Sequence, residues 1–112
     1  MIRLRILIAT LAALAITISA SAPAWAADAA AGAQLYATKC RTCHGKDGEG
    51  NPAMAKALKV DIKPLGSADV QKKSNDDLKK SITAGVGKMK AIAGLSAADL
   101  DNLVAHLRSM KK

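Results

Sequence analysis

Cys40-Arg41-Thr42-Cys43-His44 sets two thiols three positions apart and an imidazole directly after the second. These are the only two Cys in the chain, and His44 is one of only two His. Four chemistries use such a set. C-x-x-C-H is the attachment pattern of a c-type haem: the spacing lets both thiols reach neighbouring vinyl groups on one ring edge, and the adjacent His is carried beneath the iron. A C-x-x-C dithiol can also be a thioredoxin-like redox centre, which needs a sheet-based fold. Structural zinc needs about four protein ligands, and His106 is the one His or Cys left to add. A plain disulfide is the fourth.

Composition weighs on that choice. Of 112 residues, 50% are hydrophobic but only 2% aromatic, with one Trp, one Tyr and no Phe. Much of the apolar content after residue 26 is Ala, so large groups to fill an interior are scarce. A domain this short needs a staple or a bulky cofactor. A disulfide leaves the missing core unexplained, whereas a haem supplies a large flat apolar body. The same numbers exclude a multidomain enzyme and a multi-span membrane protein.

A haem iron with His44 on one face needs its other face assigned, and Met54, Met89, Met110 and His106 are the available donors. Met110 continues the apolar stripe of a last helix, and Met54 lies in an apolar patch with Ala53, Ala55 and Leu58. Both read as packing. Met89 stands between Lys88 and Lys90, after Gly85 and Gly87, on a stretch between two helices. An apolar side chain in that setting points inward at something, so Met89 is the expected axial partner of His44. His/Met ligation suits electron transfer, and His106 would give bis-His ligation instead.

The elements that must position these residues are helical. Asp28 caps a first helix over about residues 29–39 that runs straight into Cys40. Gly45, Gly48, Gly50 and Pro52 mark a loop, with a short helical patch over about 52–58. Ser74 with Asp77, and Ser96 with Asp99, carry the N-terminal signature of two further helices. The first contains Leu78 and Ile82 and ends at Gly85. The second sets Leu100, Leu103, Val104 and Leu107 at i, i+3, i+4 and i+7, the clearest amphipathic face in the chain. No stretch alternates with period two, so the expected fold class is all-α.

Residues 1–26 read as a cleaved secretory signal: Arg3 and Arg5, an uncharged apolar stretch from Ile6 to Ile18, then Ala24-Trp25-Ala26 as the cleavage site. A retained membrane anchor is the alternative. Export would place residues 27–112 in an oxidising compartment. The chain carries a formal charge of +8, and between Lys56 and Lys90 nine Lys stand against four Asp. Such a field attracts an acidic surface. Nucleic acid is excluded as a partner, because the exported part has one aromatic residue and Lys rather than Arg.

Taken together these residues resemble the small monohaem class I cytochromes c of the bacterial periplasmic type, over essentially all of residues 27–112. Gly32, Leu35, Tyr36, Cys40, Cys43, His44 and Gly45 are similar to the family's first helix and attachment site. Gly87, Lys88, Met89, Leu95, Ser96, Leu100, Leu103 and Leu107 are similar to its ligand loop and last helix. Two positions depart: Lys90 stands where the family commonly has Pro, and His106 where a last-helix aromatic crosses the first helix.

The resemblance implies a class I cytochrome c fold, about three to five short helices around one haem c bound through Cys40 and Cys43 with His44 and Met89 as axial ligands. It implies a loop Pro carbonyl accepting from His44 Nδ1, with Pro52 expected and Pro64 as runner-up, and His106 as a packing substitute against Gly32 and Tyr36. It also implies a periplasmic one-electron carrier rather than an enzyme. Its partners would be redox proteins with acidic docking surfaces, and it would meet a membrane only through membrane-bound ones. A haem-based small-ligand sensor and an electron-accepting subunit of a periplasmic dehydrogenase are the other readings.

Overall fold

In the computed structural model, residues 26–112 are described; the expected signal segment lies outside them except for Ala26. The first helix, α1, spans Ala29–Lys39. It starts where Asp28, in extended backbone, accepts from the amides of Ala30 and Ala31, satisfying two of the donors every helix start leaves over. It is followed by α2 (Arg41–His44), α3 (Pro52–Leu58), α4 (Ala68–Gln71), α5 (Asn75–Ala84) and α6 (Ala97–Ser109). The all-α expectation holds. Four helices are those the capping and loop signals delimit; the single turns α2 and α4 bring the count to six among the described residues.

Each longer helix begins on a side-chain cap. Asn51 accepts from Ala53 and Met54, with Pro52 at the first helical position where its missing N–H costs nothing. Ser74 accepts from Asp77 N at 3.0 Å. Ser96 and Asp99 form a reciprocal capping box.

The core forms where α1 crosses α6. Tyr36 (2% exposed) and Leu103 (1% exposed) are fully buried and cluster with Ile82 and Leu107. Leu35, Leu65, Ile92, Leu95, Leu100, Met110 and Cys40 pack against them half-buried. Gly32 makes the crossing possible: a Cβ there would lie 1.9 Å from the Asn102 carbonyl oxygen. No shift of a side chain relieves an overlap with backbone, so the helices would have to part. Gly32→Ala should therefore destabilise the protein by about 3 kcal/mol, read from denaturant unfolding; a change under about 0.5 kcal/mol would mean that the crossing tolerates a wider separation.

Long-range polar contacts close the rest. Asp28 N donates to Asn102 Oδ1 at 2.7 Å, tying the start of α1 to α6. Arg108 reaches from α6 to the carbonyls of Gln71 and Lys73 and to Asn75 Oδ1, and Gln71 Nε2 donates to the carbonyls of Leu65 and Leu107. α4 and the start of α5 are thus hung on the last helix. Ile92 N donates to Ile82 O at 2.9 Å, fixing the return of the α5–α6 connection.

Candidate functional site

α1 delivers Cys40 and stops there. The Cys40 N–H still donates to Tyr36 O, but its backbone leaves the helical region at φ −121°, and the next turn winds on a new axis as α2. Its carbonyl accepts from both Cys43 N (3.3 Å) and His44 N (3.0 Å). Residues three and four apart on a turn are neighbours on its surface, so this turn sets Cys43 and His44 each one turn on from Cys40. Both Cys are unpaired thiols and, like His44, half-buried. Burial pushes the Cys40 thiol above its ordinary range and holds His44 below its ordinary value of 6.5, favouring the neutral imidazole that can ligate a metal.

The loop after the motif folds back on it. Gly45 ends α2 at φ 82°, its N–H donating to Arg41 O at 2.8 Å. Gly50 N donates to His44 O (2.7 Å), Asn51 N to Cys43 O (2.9 Å) and Asn51 Nδ2 to Thr42 O (3.0 Å). Every carbonyl of the five-residue motif therefore has a donor. From the other side Tyr36 Oη donates to Gly45 O at 2.6 Å. Asn51 was not singled out in the sequence; the signal available was an Asn directly before the Pro that opens a helix.

Burial, with Cys40, Glu49 and Asp47 adding in that order, pushes the Tyr36 phenol from 10.0 up to about 12. Below pH 10 both folded and unfolded phenols keep their proton. Above it the unfolded chain releases its proton first, so stability is lost as the pH rises toward 12, by about 2 kcal/mol. Tyr36→Phe should be less stable at neutral pH yet lack this part of the alkaline fall. Melting curves at pH 9 to 12 check it, and parallel curves for the two proteins would contradict it.

The support expected for His44 is not made. Its Nδ1 is buried without a hydrogen-bond partner among the described residues. Pro52 occupies the first position of α3, where its carbonyl belongs to the helix ladder, and the Pro64 carbonyl accepts from Ser67 N at 3.0 Å. Neither carbonyl is the acceptor.

The other candidates separate as follows. Met89 lies on the α5–α6 connection, in a tight reversal where Val86 and Met89 exchange backbone hydrogen bonds of 3.0 and 2.9 Å across Gly87 and Lys88. It is half-buried while Lys88 and Lys90 on either side are exposed. Met110 packs on the core, and its Sδ lies where a Cβ on Gly48 would fall, 2.7 Å away. Met54 is half-buried within α3. The His106 ring sits 5.1 Å from the Tyr36 ring at 59°, and its Cβ lies against Gly32, in the packing place expected of it.

Among the described residues no three His, Cys, Asp or Glu side chains are grouped to hold a metal ion, so zinc lacks a ligand set. Nor is there a strand to build a thioredoxin-like sheet; the Val86–Met89 bridge is isolated. A covalent haem fits what is present: two free, half-buried thiols on one turn, a neutral imidazole beside them, and a core containing one aromatic residue.

Residues 27–107 match the family described as cytochrome c oxidase, cbb3-type, subunit III. The chain belongs to this family of cytochrome c domains. The cytochrome is 38% identical over 108 residues to cytochrome c6 of Picosynechococcus sp., a match covering 92% of this chain and 91% of that one. It is 35% identical over 91 residues to cytochrome c-554(547) of Halothiobacillus neapolitanus, covering 77% of this chain and all 100% of the relative. Among solved structures it is similar to the c-type cytochrome KustC0563, with a TM-score of 0.60 and 27% identity over 72% of this chain and 98% of that one. It is thus a small class I cytochrome c with one covalently attached haem c, and its business is electron transfer.

The Lys excess is partly consumed within the fold. Lys63 and Lys72 both lie 3.2 Å from Asp69, and Lys79 pairs with Asp101. Lys56, Lys59, Lys73, Lys80, Lys88 and Lys90 are exposed with no carboxylate in ion-pair reach among the described residues. Val86 adds a 59% exposed apolar side chain close to Lys88. No helix among the described residues is long and apolar enough to cross a membrane.

Proposed function

We propose that this cytochrome is a periplasmic one-electron carrier whose haem is bound through Cys40 and Cys43, with His44 and Met89 as its two axial ligands. The observation that supports the reading is the Cys40–His44 turn itself, which holds two free, half-buried thiols and His44 on one short stretch of chain with every motif carbonyl hydrogen-bonded. When bound, haem c supplies an iron that exchanges one electron without substrate chemistry.

The chain's own residues do the rest. Cys40 and Cys43 hold the ring through thioethers, and the clamped backbone keeps His44 in place. Met89 supplies a soft sulphur from a connection anchored at Ile82–Ile92, a donor that raises the potential relative to a second His. Cleavage after Ala26 would make Asp28, the cap of α1, the second residue of the chain.

The exposed Lys between residues 56 and 90 would guide an acidic redox partner into a transient contact, a steering effect that acts on the association rate and is screened by salt. Stopped-flow electron exchange with an acidic redox protein should therefore slow several-fold between about 10 and 200 mM ionic strength. A rate indifferent to salt would remove the steering. For the ligand set, the ferrous protein should show no spectral shift under carbon monoxide; an immediate shift would mean an open iron and favour the sensor reading.

A further inference from the structure

Among the described residues the His44 Nδ1 is sealed from solvent without a hydrogen-bond partner, so no hydrogen bond at that atom fixes how the ring is turned. Ligating His normally gains its orientation and basicity from such a bond. What the structure provides in its place is a backbone held from outside, and two of those contacts come from one residue, which also caps the next helix. Asn51 N donates to Cys43 O, Asn51 Nδ2 donates to Thr42 O, and Asn51 Oδ1 accepts from Ala53 N and Met54 N to start α3. The amide thus joins the motif turn to the next helix with both ends of its side chain used, and Gly50 beside it holds His44 O.

We propose that Asn51 is a positioning residue for the iron site: its Nδ2–H donor to Thr42 fixes the second half of the Cys40–His44 turn, and through that backbone the direction of the His44 imidazole. The second half of the claim rests on His44 being an axial ligand; the first half does not. The two ends of the amide have separable duties. Asn51→Asp keeps an oxygen that caps α3, since Asp caps as well as Asn, but replaces the donor facing Thr42 O by a second acceptor. Asn51→Ala loses both.

The test uses the holo full-length protein and both variants, with Ser74→Ala as a cap loss far from the motif. Amide hydrogen exchange at Cys43 to Asn51 is followed by NMR. Release of the axial imidazole is followed by stopped-flow absorbance after an acid jump. In Asn51→Asp the melting temperature should stay close to wild type, while exchange across the loop and imidazole release each quicken about tenfold, a loss of the size that a ligand's supporting groups carry. Asn51→Ala should add a lower melting temperature. Ser74→Ala should lower the melting temperature and leave both rates alone. Wild-type rates in Asn51→Asp would overturn the proposal. Faster exchange with unchanged release would keep the clamp and discard its effect on His44. No imidazole signal in the wild type would count against the axial role of His44, while the exchange data still decide the clamp.

Discussion

Replacing Cys40 and Cys43 together by Ala should abolish the red colour and most of the helical circular dichroism in one step. The reason lies in what fills the interior. Among the described residues six hydrophobic side chains are buried, Tyr36, Leu78, Ile82, Leu103, Val104 and Leu107, and Tyr36 is the one aromatic among them. The remaining apolar groups around them, Leu35, Leu65, Ile92, Leu95, Leu100 and Met110, are only half-buried. A covalently held haem would cover those half-exposed surfaces, so colour and helical structure should be lost together. A variant that loses colour but keeps its helices and a cooperative melt would show that the α1–α6 crossing is self-sufficient.

Replacing Met89 by Ala should leave the haem attached and open one face of the iron. Ferrous protein, indifferent to carbon monoxide in the wild type, should then bind it nearly stoichiometrically, and the reduction potential should fall because the thioether that favours the ferrous state is gone. Stability should change little by comparison. Met89 is half-buried, and the reversal it closes is held by backbone bonds between Val86 and Met89 that Ala also makes. Met54→Ala and Met110→Ala serve as controls, and both should keep the wild-type response. If Met110→Ala opens the iron and Met89→Ala does not, the ligand assignment is wrong, and the packing of Met110 on Gly48 needs another explanation.

How far the sequence carried each of these features depends on how local its cause is. Asp28, Ser74 and the Ser96–Asp99 pair announced three helices because a cap is a contact within three residues, and the structure makes each of those bonds. The thiols and His44 were legible for the same reason, as one turn of chain. α2 and α4 were not, since four residues show no period and both exist through their surroundings: α2 because Cys40 breaks the axis of α1, α4 because Gln71 and Arg108 tie it to α6. Those ties span more than thirty residues, and no local pattern predicts them. The place of His106 against Tyr36 was readable only by resemblance, and the same resemblance led to Pro52 and Pro64 for His44. There it did not serve: among the described residues the His44 Nδ1 has no hydrogen-bond partner. The electrostatic excess was legible as a sum but not as a surface: Asp69 and Asp101 take up three of the nine Lys.

The most direct measurement is the mass of the peptide that contains Cys40 to His44, recovered by proteolysis from mature protein that has been denatured and washed in acid acetone. This peptide alone should carry the full mass of a haem, with neither thiol available to alkylation. An unmodified peptide with two alkylatable thiols, or with a bond between them, would contradict it.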